Sequence, residues 1–143
     1  MHDTIEDCNV SLEDIKNIPM IDNHTPEIVY AVTNEEGKNR HERGLKTYPK
    51  IRETTKAITV KLSDRIANIE QCVSFCHVGR RPQRLFSMYE KDWPDFQGGL
   101  RQRCRGESFV EAAMWSHLDG LFASGIQARE RYNDESETGK ISI

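Results

Sequence analysis

Apolar residues in this chain recur three and four positions apart and rarely alternate, so the pattern predicts helices and almost no strand. The clearest helix runs from Thr55 to Cys76, "TKAITVKLSDRIANIEQCVSFC". There Ile58, Leu62, Ile66, Ile69 and Val73 form one apolar stripe, while Lys61, Asp64 and Asn68 repeat at the same spacing on another side. Upstream, "SLED" offers Ser11 as an N-cap with Asp14 three residues on, and that helix should stop before Pro19. "TPEIVYAVT" offers Thr25 as N-cap and Pro26 at the first helical position, with Ile28, Val29 and Val32 on the buried side. The charged stretch from Lys38 to Thr54 is expected to be helical, bent or interrupted at Pro49.

Downstream of "GRRPQR" a helix, "RLFSMYEKDW", is expected to end before Pro94. A weaker piece, "DFQGGLRQRC", follows with two adjacent glycines. Then "SFVEAAMWSHLDGLFASG" has Ser108 as N-cap, Phe109, Ala113, Trp115, Leu118, Leu121 and Phe122 as packing groups, and Gly125 as the stop. From Arg129 the chain turns polar and is expected to fray. The fold class read from this pattern is all-α.

Composition narrows the setting. With 143 residues, 20 basic and 23 acidic, the chain carries a net charge of −3; a single domain with its own core is expected, and the molecule as a whole has no field to gather nucleic acid or anionic membrane. Cys8, Cys72, Cys76 and Cys104 show no CxxC pairing and read as reduced core thiols. Cys72 and Cys76 stand at i, i+4 with His77 beside them, short of a zinc set. No signal pattern or membrane-length apolar run is present, so a cytoplasmic protein without a membrane partner is expected.

Two places carry candidate chemistry. "HDTIED" crowds His2, Asp3, Glu6 and Asp7 into the first turns; on a helix the second pair returns to the side of the first. Carboxylates so close repel one another unless a cation lies among them. Asp64, taken alone, is a surface aspartate for Lys61 or Arg65 to pair with. Read together, histidine and aspartate from one helix and an aspartate from another are donors that suit Mn²⁺, Fe²⁺ or Zn²⁺.

The pair "HDTIED" and, some sixty positions later, "VKLSDRIANI" resembles the HD-domain metal phosphohydrolases, specifically the guanosine tetraphosphate (ppGpp) hydrolases of the RelA/SpoT and single-domain alarmone hydrolase type, whose text reads HDxxED and KLADR/KxxN. The resemblance is sharpest in residues 2–7 and 60–69 and fades beyond about residue 92. It implies an HD-domain-like helical bundle over residues 1–128, with 129–143 a flexible polar tail. It implies that His2, Asp3 and Asp64 hold a divalent metal, usually Mn²⁺, and that Glu6 and Asp7 orient or deprotonate the attacking water. It further implies that Asn68 contacts the sugar or phosphate region of a ppGpp-like nucleotide, that Arg40 and Arg84 hold phosphates, and that Tyr89 lines the pocket. Such chemistry is reasonable for a highly charged phosphate: a Lewis acid polarises it, a carboxylate takes the proton of the water, and basic groups neutralise the leaving group.

Family members carry a further metal-binding histidine 25 to 30 residues before the HD pair, and this chain has no residues there. The expected bundle is therefore truncated at its N-terminus, and the apolar surface left uncovered predicts self-association. Two other function classes are carried beside the leading one. The first keeps HD chemistry on another nucleotide, or keeps only a degenerate scaffold that binds nucleotide or protein. The second is nucleic-acid binding through Arg80, Arg81, Arg84, Arg101, Arg103 and Arg105 with Phe86, Tyr89 and Trp93, which the acidic total disfavours.

Overall fold

The computed structural model describes residues 5, 8, 10–76, 78–101 and 108–137. Among them the fold is all-α, with no strand: α1 (Leu12–Lys16), α2 (His24–Val32), α3 (Arg40–Glu53), α4 (Ala57–Ser74), α5 (Arg80–Leu100) and α6 (Phe109–Glu137). The chain divides into two compact units, residues 1–62 with 94–105 and residues 63–93 with 106–143, so that α4 and α5 each contribute to both.

In the first unit, side chains close three helix starts. Ser11 Oγ accepts from the Asp14 N–H at 3.1 Å while Asp14 accepts from the Ser11 N–H at 2.8 Å, the reciprocal box expected of "SLED". Helix α2 begins at His24, ahead of the expected Thr25 cap, because Asp22 Oδ1 accepts from the N–H groups of His24 (2.9 Å) and Thr25 (2.8 Å). Pro26 then falls on the third helical residue, where a missing N–H still removes no intrahelical bond. At α3 the Asn39 side chain accepts from the Glu42 N–H at 2.9 Å, and Glu42 in turn accepts from the Lys38 N–H at 3.0 Å.

These contacts hold three carboxylates below their ordinary range: Asp14 chiefly through the Ser11 hydroxyl, Asp22 through the Thr25 N–H, and Glu42 through the Lys38 N–H. A depressed folded value means that the stabilisation is complete above the ordinary 3.8 for the aspartates and 4.5 for the glutamate, and disappears as pH falls through the lower folded values. Urea midpoints are therefore expected to be flat from neutrality down to about pH 5 and to drop below it. The Asp14→Asn, Asp22→Asn double variant should show a smaller acid-induced drop; an unchanged one would contradict the capping account.

Pro49 does not interrupt α3: the helix runs on to Glu53, held by Tyr48 and the fully buried Ile51. Helices α1 and α2 pack together, as do α2 and α3, around Ile15, Val29, Ala31, Val32, Ile51 and Leu62. Lys61 donates to the carbonyl of Val32 at 3.2 Å, meeting an orphan acceptor at the C-terminus of α2.

Helix α5 continues through Pro94 instead of ending before it, and the expected weak segment "DFQGGLRQRC" is helical as far as Leu100. Its anchors are Phe96 and Leu100, both buried, an edge-on contact of Phe96 with Tyr48 at 6.1 Å, and a hydrogen bond from Arg52 to the Gly99 carbonyl. Burial of two large side chains outweighs what two glycines and a proline remove from local propensity.

In the second unit the buried line along α4 is Arg65, Ile69 and Cys72, continued by Cys76 in the turn beyond it; the expected Ile66 and Val73 are only half-buried. Phe86 packs on Phe122 with ring centroids 5.8 Å apart, and Trp93 lies 6.0 Å from Trp115 and 4.3 Å from Phe122. Ser108 caps α6 as expected, its Oγ accepting from the Glu111 N–H at 3.2 Å. Helix α6 passes through Gly125, the expected stop, to Glu137. Arg129, placed at the start of a frayed tail, is fixed on Glu90 at 2.6 Å and Ser87 at 3.2 Å. Phe109, counted among the packing groups, is 89% exposed.

Candidate functional site

Helix α4 carries Asp64 and Asn68 one turn apart, so their side chains meet. The Asn68 Nδ2 group donates both to the Asp64 backbone carbonyl and to Asp64 Oδ1, each at 2.9 Å. The amide thus helps to orient the carboxylate. Both residues are half-buried.

The neighbouring Arg65 points into the core. Its Nη2 meets Asp92 Oδ2 at 2.8 Å, with side-chain exposures of 6% and 5%, and its guanidinium lies 4.9 Å from the centre of the Tyr89 ring. Arg65, expected at the surface as a partner for Asp64, is thus a core cation, and Asp92 is a residue that the sequence pattern does not single out. The available signal was that residues 62, 65, 69, 72 and 76 continue one another at spacings of three and four, which places an arginine in a buried line and demands an acid opposite.

Of the residues expected at the site, the structure brings Asp64 and Asn68 together and ties Tyr89 to Arg65. Arg84 is exposed on the second turn of α5, and Arg40 is half-buried at the first residue of α3 in the other unit. His2, Asp3, Glu6 and Asp7 lie outside the described residues, as do Cys104 and His77. Among the described residues no three histidine, cysteine, aspartate or glutamate side chains are grouped to hold a metal ion. Asp64 supplies one oxygen donor of the hard type that Mn²⁺ takes, already oriented. Burial raises the thiols of both Cys72 and Cys76 above their ordinary value and favours the protonated form. Phe86 is fully buried and Trp93 packs on two core rings, so neither is an exposed platform beside the arginines for stacking bases.

No helix among the described residues is long and apolar enough to cross a membrane. No family model, curated protein or solved structure matches the chain.

Proposed function

We propose that the chain is an HD-type, metal-dependent phosphohydrolase acting on a nucleotide, with removal of the 3′-pyrophosphate of ppGpp as its reaction, in the cytoplasm. The observation that carries this reading is the Asp64 carboxylate held by Asn68 within "KLSDRIAN", a pairing that has a use if Asp64 is a ligand. The "HDTIED" motif and the all-α fold support it. His2, Asp3 and Asp64 are the residues that would hold the divalent ion, which when bound supplies Lewis acidity and a more acidic water. Glu6 and Asp7 would orient or deprotonate the attacking water. Arg40 and Arg84 offer donors to phosphate oxygens, Asn68 offers its amide oxygen to a sugar hydroxyl, and Tyr89 offers a ring wall to the base.

The test uses the purified chain with Mn²⁺ and ppGpp, reading pyrophosphate release and, separately, Mn²⁺ binding by calorimetry. Release that disappears in Asp64→Ala, together with Mn²⁺ binding that weakens in the same variant, is the expected result. Turnover of deoxynucleoside triphosphates or NADPH but not ppGpp would reassign the substrate within the same chemistry. Failure to bind Mn²⁺ at all would overturn the reading in favour of a scaffold.

A further inference from the structure

In the first unit His41, Leu45, Tyr48 and Arg52 follow at spacings of four, three and four and so share one face of α3. Together with the last two turns of α5 they enclose a groove of about 300 Å³, the lower end of the range for small-molecule sites. At one end His41 Nδ1 and Asp95 Oδ2 are 2.6 Å apart, so the carboxylate orients the ring and Nδ1 carries the shared proton. Nε2 makes no hydrogen bond among the described residues. At the other end the Arg52 guanidinium is anchored through one nitrogen to the Gly99 carbonyl and keeps further N–H groups for another acceptor. Between them Leu45 is 61% exposed beside Pro94.

Gly98 is the second observation. Glycine inside a helix is unfavourable relative to alanine, so it needs a reason. For its neighbour the reason is internal: a Cβ on Gly99 would overlap the Tyr48 ring. A Cβ on Gly98, which lines the groove, would meet nothing within 4 Å. No contact inside the molecule requires a bare backbone there, so the groove wall at Gly98 leaves room for a ligand to approach the backbone closely.

We propose that this groove binds a small organic oxyanion with an apolar body, a carboxylate or a phosphate monoester. The planar fork of Arg52 takes the oxyanion, and the apolar body lies along Leu45 and Pro94 over Gly98. The two ends are about 16 Å apart along α3, too far for one anionic group to span. The His41–Asp95 pair therefore lies beyond the reach of the oxyanion held by Arg52.

Calorimetry and ligand-observed NMR on the whole chain, with octanoate and phenyl phosphate as probes and inorganic phosphate as reference, test the proposal without metal or nucleotide. Its failure is thus distinct from failure of the phosphohydrolase reading. Saturable binding of at least one probe is expected, and which one binds identifies the oxyanion. Affinity should fall at least about tenfold in Gly98→Leu and in Arg52→Gln, and stay unchanged in Gly120→Ala, a helix glycine of α6 with open surroundings. The Tm of Gly98→Ala should rise by about 3 °C, which shows that the methyl group fits the folded chain. If Gly98→Leu lowers Tm, Gly98→Ala and Arg52→Gln carry the comparison. Absence of saturable binding, inorganic phosphate binding as tightly as the probes, or binding that survives the Gly98 variants would overturn it.

Discussion

Asp92→Ala is expected to destabilise the protein by about 3–5 kcal/mol, read as a shift in the urea midpoint at unchanged slope. The cost comes from what is left behind. Arg65 is 5% exposed, has Asp92 Oδ2 at 2.8 Å, and lies against the Tyr89 ring; removing the acid takes this carboxylate from a desolvated guanidinium that cannot shed its proton. The ring supplies a cation–π contact of about 1–2 kcal/mol, too little to replace the carboxylate. A double replacement, Arg65→Met with Asp92→Leu, removes both charges and is expected to recover most of the loss, since a buried pair and an apolar pair of similar volume are close in stability. The exposed pair His117–Glu70 sets the scale from the other side. At 2.8 Å but with side chains 53% and 49% exposed, its removal by Glu70→Gln should move stability by about 1 kcal/mol or less. If Asp92→Ala falls in that small range, Arg65 reaches water on unfolding of a local segment and the buried pair does not hold α4 to α5.

What could be read from the sequence follows from where the deciding interaction lies. Ser11, Asn39 and Ser108 act within three residues of themselves, and two of these caps, Ser11 and Ser108, were legible as such; Asp22 acts locally too, but the Thr-Pro pair beside it gave the stronger signal. Asp64 and Asn68 were legible as neighbours because the helix period alone brings them together. Pro94 and Gly125 read as stops for the opposite reason: local propensity opposes a helix there, and the contacts that override it come from residues 39 to 48 positions away, Arg129 on Glu90, Arg52 on Gly99 and Tyr48 on Phe96 among them. The same distance hid the Arg65–Asp92 pair, 27 positions apart, and the His41–Asp95 pair, 54 apart. For His2, Asp3, Glu6 and Asp7 the motif remains the whole of the argument.

A single methyl group on each of four helical glycines should separate propensity from packing. Alanine at Gly98 or Gly120, where a Cβ meets nothing within 4 Å, is expected to stabilise by about 1 kcal/mol, the ordinary gain of alanine over glycine in a helix. Alanine at Gly125 should do the reverse, costing about 1–3 kcal/mol net, because its Cβ would overlap the edge of the Phe86 ring at Cε2 and Cζ. That ring cannot simply turn away: it is fully buried, packed on Phe122, and has the Arg129 guanidinium 5.7 Å from its centre. Gly99 faces the Tyr48 ring in the same manner and should respond with the same sign. Phe86→Leu combined with Gly125→Ala then becomes the decisive comparison. If the clash is the cause, the double variant is more stable than the sum of the two single losses, a non-additivity that only touching residues show. Purely additive losses would mean that α6 tolerates a side chain at Gly125, and that something other than this close approach carries the helix past the point where the sequence alone would end it.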